Sequence, residues 1–139
     1  MIRRMLVAND GSRGGERALA AALDLARRLS LGLDMICVED LPRFPATVDE
    51  VEEERADLGG AFAKVVEAAT AKAAMLGVPF GAHVVPGHPV STIAEFVERG
   101  GYDLLVVGFM GHSALYNRVI GGATDRLVEL APCAVMVVK

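Results

Sequence analysis

The chain has 139 residues, 53% apolar and 23% charged, with a net charge of −4 and a pI near 5.3. That is enough for one domain with a buried core over residues 1–139, and the composition excludes a disordered chain. Scattered Lys and Arg with few aromatics exclude a nucleic-acid partner. The mean hydropathy of +0.39 does not indicate membrane insertion, since no apolar segment approaches the ~20 residues that span a bilayer.

In chain order, Arg4 to Ala8 reads as a first strand, with Arg3 and Arg4 standing before its apolar run. Asn9-Asp10 ends its apolar run too early for a signal peptide, so a cytoplasmic protein is expected. Asn9-Asp10-Gly11-Ser12 breaks the strand. From Gly14 to Ser30 the residues Ala18, Ala22, Leu25 and Leu29 recur at helical spacing, flanked by Leu19, Leu23 and Ala26. Gly32 suits the helix stop, and Leu33 to Val38 reads as the second strand.

Glu39 to Thr47, with Pro42 and Pro45, reads as loop. Asp49 to Leu76 carries a long helical pattern through Val51, Leu58, Phe62, Val65, Ala69, Ala73 and Leu76. Its acidic first turns, Asp49 to Glu54, suit a helix N-terminus and a solvated face, and Gly59-Gly60 are expected to kink or divide it. Phe80 to Val85 reads as the third strand. Pro86-Gly87-His88-Pro89 turns into a helix with Val90, Ile93, Ala94 and Val97 on its apolar side, ended by Gly100-Gly101.

Asp103 to Val107 reads as the fourth strand. Asp125 to Leu130 reads as a helix with Leu127 and Val128 on its apolar side, and Ala134 to Val138 as a fifth strand. Strand and helix alternate throughout, which predicts an α/β domain with a parallel sheet covered on both faces. Ligands of such sheets sit beyond the carboxyl ends of the strands. The polar or glycine-rich breaks Asn9 to Ser12, Val38 to Asp40, Pro86 to His88 and Gly108 to Gly111 all fall there.

The most telling stretch joins the fourth strand to the last helix. Gly108 and Gly111 are followed by nine residues and then Gly121-Gly122-Ala123-Thr124. A strand that ends in glycines and restarts as a helix leaves backbone N–H groups around a hollow suited to phosphate or another anion. Asp10 can accept from ribose hydroxyls or the adenine edge, or it can simply bond its own turn. Val38 reads as a pocket wall or as plain core. Cys37 and Cys133 lack a CxxC or histidine neighbour and are expected to be reduced structural thiols. His83 reads as structural, and the three isolated histidines form no zinc pattern. GxxxxGK[ST], GxSxG and a GxGxxG after the first strand are all absent, and no positioned base or catalytic set emerges.

With Asp10 and Ser12 after the first strand, Val38 late in the second and Gly108, Gly111 and Gly121 at this spacing, the chain resembles the universal stress protein family over nearly its whole length. The resemblance implies a five-stranded sheet of order 3-2-1-4-5 in a three-layer, doubly wound domain. It also implies a homodimer paired through the C-terminal strand, and a nucleotide-linked role in stress tolerance without defined catalysis. The ligand it implies is ATP or AMP, with Mg2+ only as nucleotide counter-ion. Asp10 and Val38 would supply the nucleoside end, with Ser12 beside Asp10 in the same site; Gly108, Gly111, His112, Ser113, Gly121, Gly122, Ala123 and Thr124 would complete it around the phosphate.

One position departs from the family's nucleotide-binding pattern, because Gly122 stands where that pattern has serine or threonine. A hydrogen bond from such a hydroxyl to a charged phosphate contributes ~1.5–3 kcal/mol, so its loss weakens binding by about ten- to a hundredfold. His112, Ser113 and Arg118 could compensate. Three functional classes remain, in this order: a dimeric adenine-nucleotide sensor or regulator, a nucleotide-free module that docks a protein partner, and a slow ATPase.

Overall fold

A computed structural model of the chain describes residues 1–40, 48–109 and 122–139, apart from the side chains of residues 48–59 and 61. Nine elements follow one another: β1 (Met5–Ala8), α1 (Arg13–Leu29), β2 (Leu33–Asp40), α2 (Val48–Leu76), β3 (Phe80–Gly87), α3 (Pro89–Gly100), β4 (Leu104–Gly108), α4 (Ala123–Leu130) and β5 (Ala134–Val138). The strands form one sheet of order β3-β2-β1-β4-β5, parallel at every pairing. Met5 at the centre is in register with Leu33 on one side and Leu104 on the other.

The alternation of side chains along each strand divides the core into two. Met5, Val7, Leu33, Met35, Cys37, Leu104 and Val106 pack under Ala18, Leu19, Ala22, Leu23 and Ala26 of α1 and Phe62, Ala69 and Ala73 of α2. Leu6, Ile36, Leu105 and Val107 pack on the opposite face against Ile93 and Val97 of α3, Leu127 of α4 and Tyr102. Helices cover both faces of a parallel sheet, which is the predicted three-layer architecture. Among the described residues, no helix is long and apolar enough to cross a membrane.

Several local expectations need correction. Ser30, not Gly32, ends α1: it takes the left-handed conformation at φ 55°, and the Leu31 N–H reaches back to the Ala26 carbonyl at 2.9 Å. Gly32 instead sits where a side chain would press the Pro79 carbonyl. The backbone of α2 stays helical through Gly59-Gly60 as one 29-residue helix and ends at Gly77, whose φ is +69°. Leu29, Leu76 and Val128 are solvent-exposed although the helical pattern placed them on apolar faces. β3 runs on through Pro86 and Gly87, paired with Glu39 and Asp40. Proline is tolerated there because β3 is an edge strand, where an absent N–H need not break a ladder. The predicted loop Glu39 to Thr47 starts two residues late, because β2 runs on through Glu39 and Asp40, paired with Pro86 and Gly87; residues 41–47 and the acidic side chains from Asp49 to Glu54 lie outside the described residues.

At the amino edge of the sheet, Asp34 accepts a 2.6 Å hydrogen bond from the Tyr102 hydroxyl and stands 3.5 Å from the Arg4 guanidinium. That guanidinium lies 4.6 Å above the Tyr102 ring and donates to the Gly100 carbonyl. The Asp103 carboxylate accepts the backbone N–H groups of Arg3 and Arg4, which hold its pKa below the usual carboxylate range. This knot pins β2, β1 and the α3–β4 corner, leaving the opposite edge to carry the turns named above.

Candidate functional site

In the order β3-β2-β1-β4-β5 the chain reverses its direction of growth between β1 and β4. Ligands of open parallel sheets bind at such a reversal, beyond the carboxyl ends of the two strands. The turn after β1 and the start of α4 both belong to this edge.

The turn after β1 is built from its own polar side chains. Asn9, 2% exposed, continues the sheet ladder through its N–H to the Ile36 carbonyl at 3.0 Å, while its Oδ1 accepts the Gly11 N–H at 2.9 Å. Gly11 sits at φ +81°, a conformation that glycine adopts without strain. Asp10 is exposed, and its Oδ1 accepts both the amide and the hydroxyl of Ser12. Ser12 then caps α1, its Oγ accepting the Gly15 N–H at 3.1 Å. The Asp10 carboxylate thus stands at the positive end of the α1 dipole.

Gly15 is demanded by this turn. A Cβ there would come within 2.3 Å of Asn9 Oδ1 and 3.0 Å of Asp10 Oδ1. Gly108, the last residue of β4, is demanded by packing from the same helix: a Cβ would lie 2.4 Å from the Gly14 carbonyl oxygen. The close approach this glycine permits is therefore to α1. The signal for both contacts lies in the sequence as Gly14-Gly15 at the start of a helix, and the motif reading passes over them.

On the β4 side, Gly122 is the N-cap of α4 at φ −66° and ψ 171°, without a side-chain capping bond. Its carbonyl accepts the Arg126 N–H at 3.2 Å. The Thr124 hydroxyl donates to the Gly108 carbonyl at 2.7 Å, so α4 begins against the end of β4. That bond uses the hydroxyl's single proton, leaving Thr124 to clamp the start of the helix onto the strand. Ala123 is exposed beside it. Beyond β4, the Phe109 N–H pairs with the Val138 carbonyl at 2.9 Å, which ties β5 to the same edge.

Val38 lies on the neighbouring strand in register with Val85 and packs half-buried against the core on the α3 face. Its residue pair sits two positions beyond Ile36, the partner of Ala8, so it falls at the level of the Asp10 turn. His88, the N-cap of α3, brings Nδ1 to 3.9 Å from Asp40 Oδ1 at the outer end of the edge. Cys37 is buried under the Asp10 turn. Burial pushes its thiol up to about 12, and the negative charges of Asp10 and Glu16 add to the shift. No group of three or more metal-ligating side chains occurs among the described residues.

The structure therefore brings Asp10 and Ser12 onto the start of α1, that start onto Gly108, and Gly108 onto Thr124 in the first turn of α4, which Gly122 caps. Val38 stands one strand away. Gly111, His112, Ser113, Arg118 and Gly121 lie outside the described residues. Asn9, Gly15 and Glu16 join the edge without having been singled out from the motif.

The family model "Universal stress protein family" matches residues 1–139. The universal stress protein YxiE of Bacillus subtilis is 30% identical over 148 residues, covering all of both chains. The fold is shared with the universal stress protein UspA from Lactobacillus plantarum at a TM-score of 0.86, with 22% identity and coverage of 99% of this chain and 98% of that one. A family protein from Arabidopsis thaliana with AMP bound superimposes at a TM-score of 0.70, with 22% identity, covering 99% and 91% of the two chains. The match over the full length, together with the parallel sheet of order 3-2-1-4-5, places this chain in the universal stress protein family.

Proposed function

We propose that this chain is a dimeric sensor or regulator that binds an adenine nucleotide, ATP or AMP, at the carboxyl edge of its sheet. The observation that carries this reading is the convergence of the Asp10 turn and the start of α4 at the one place where the strand order reverses. Asp10 offers a carboxylate to ribose hydroxyls or the adenine amino edge, Ser12 holds that carboxylate in place, and Val38 walls the nucleoside side. The backbone N–H groups of Gly122 and Ala123, at the positive end of α4, face the phosphate. Gly108 lets the two halves close, and Gly111, His112, Ser113 and Gly121 complete the cradle. The AMP held by the Arabidopsis relative supports the choice of ligand. Mg2+ enters only as the counter-ion of a polyphosphate.

The chain's residues bind and orient in this reading, and no residue is assigned a catalytic role. β5 is an edge strand of mostly apolar sequence, and an open edge of this kind pairs with a second copy. A cytoplasmic setting fits this role.

A second reading is favoured by one specific feature. Gly122 brings no hydroxyl, and that of Thr124 is already bonded to Gly108. A phosphate would then be held by backbone groups on the α4 side, which suits a nucleotide-free, partner-docking use of the same fold. Mass spectrometry of the small molecules released from protein purified without added nucleotide separates the two. AMP or ATP near one equivalent supports the sensor; protein free of nucleotide that also fails to take up millimolar ATP or AMP supports the docking module.

A further inference from the structure

The Asp10 turn has a second layer of support that reaches into α2. Asn9 ends the inward row that begins with Met5 and Val7, and its carboxamide is almost fully buried. A buried carboxamide is costly unless its oxygen and its N–H groups both find partners. Its oxygen accepts the Gly11 N–H, and its Nδ2 faces Glu16 Oε1 at 3.4 Å and Met35 Sδ at 3.7 Å. Glu16 Oε2 in turn accepts from Lys72 Nζ of α2 at 3.0 Å.

These pairings fix the orientation of the amide by matching donors to acceptors. An ionised carboxylate only accepts hydrogen bonds, and a backbone N–H only donates. If the Asn9 amide were reversed, its oxygen would face the Glu16 carboxylate and its N–H2 would face the Gly11 N–H. Both contacts would be repulsive. Glu16 therefore selects the orientation in which the oxygen supports the Gly11–Ser12 backbone, on which the Asp10 carboxylate rests.

We propose that Glu16 and Asn9 are positioning residues of the nucleotide site: Glu16, held by Lys72, orients the Asn9 carboxamide, and that carboxamide sets the turn that presents Asp10. The inference rests on the nucleotide reading above, and it adds a route by which the seating of α2 is felt at the site. The pair Glu16–Lys72 is half-exposed and by itself contributes little stability. Its effect is read in the turn and in affinity.

The test compares the parent with Glu16→Ala and Glu16→Gln. Both variants lose the charge at the start of α1 and the pair with Lys72, so a difference between them reports the acceptor oxygen that glutamine keeps. Two quantities are measured: hydrogen exchange of the Gly11 amide in nucleotide-free protein by NMR, and the Kd for AMP by calorimetry. In Glu16→Ala, Gly11 exchanges about tenfold faster and the Kd rises about three- to tenfold, with a melting temperature within about 2 °C of the parent. Glu16→Gln, which keeps an acceptor for Asn9 but not the ion pair with Lys72, recovers only part of both losses.

Gly11 exchange unchanged in Glu16→Ala overturns the inference, as does a parent that binds AMP with an affinity indifferent to that substitution. A parent that binds no AMP while Gly11 exchange still responds to Glu16→Ala overturns the nucleotide reading and leaves the relay to the turn standing.

Discussion

Replacing Gly108 with alanine tests whether this motif glycine serves the packing of α1 on β4 before any ligand arrives. Its φ is not positive, so the backbone accepts alanine; the obstacle is space. The new Cβ would lie 2.4 Å from the Gly14 oxygen, 2.5 Å from its carbonyl carbon and 3.0 Å from its Cα. All three are backbone atoms and cannot rotate away. Overpacking of this kind costs ~1–3 kcal/mol, offset by ~0.4–1 kcal/mol from the reduced entropy of the unfolded chain. With three unyielding backbone contacts the overpacking falls in the upper half of its range, which leaves a net loss of about 1–2 kcal/mol. With ~2.1 cal/mol/K of unfolding entropy per residue, a chain of 139 residues loses about 3–7 °C in melting temperature. Gly60→Ala is the control: it lies inside α2, where the new Cβ meets nothing within 4 Å beyond its chain neighbours and the backbone of its own helix, and alanine's helix propensity raises the melting temperature by about 3 °C. Calorimetric melting of nucleotide-free protein measures both. Gly108→Ala melting at or above the parent would refute the packing account of this glycine.

Three further predictions follow from the geometry. The Cys37 thiol rises from an ordinary 9.0 to about 12 and the Tyr102 hydroxyl from 10.0 to about 12, burial being the main cause in each. The folded chain therefore keeps protons that the unfolded chain sheds, and stability measured in urea falls as pH rises from about 9 to 12, less steeply in Cys37→Ala. An equal slope in the variant would exclude that thiol as a source. Tyr102→Phe strips Asp34 of its 2.6 Å donor; with the carboxylate partly exposed the cost is about 1–2 kcal/mol, seen as a melting temperature about 3–7 °C lower. Light scattering reports twice the 14.6 kDa chain mass, and a monomer at tens of micromolar counts against pairing through β5.

The element order was legible because each helix and strand carries its own period. β5 coincides with its predicted range, and Gly101 ends α3 in the left-handed conformation, as glycine at that place suggests. The order of strands in the sheet was legible only through the family resemblance, since periodicity says that a sheet is parallel without ordering it. Pro86-Gly87 misleads because a turn signal and an edge-strand end share the same residues. Ser30 misleads in the opposite way, taking a left-handed conformation usually left to glycine.

At the site, Asp10 is legible as a turn residue that bonds its own backbone, whereas the capping of α1 by Ser12 emerges only in the structure. Asn9 and Glu16 are not legible, because their roles depend on a carboxamide buried between α1 and β2 and on a lysine 56 residues away. Gly108 illustrates the same limit: its spacing to Gly111 and Gly121 suggests a phosphate loop, while its neighbour in space is Gly14.

The role of this protein turns on whether the edge bearing Asp10 and the start of α4 holds an adenine nucleotide. Protein stripped of co-purified ligand, titrated calorimetrically with AMP and then ATP, measures this directly. Saturable binding near one equivalent per chain, weakened at least tenfold by Asp10→Ala while the melting temperature stays within about 4 °C of the parent, is the predicted result. No heat of binding at millimolar nucleotide, or binding indifferent to Asp10→Ala, would contradict it.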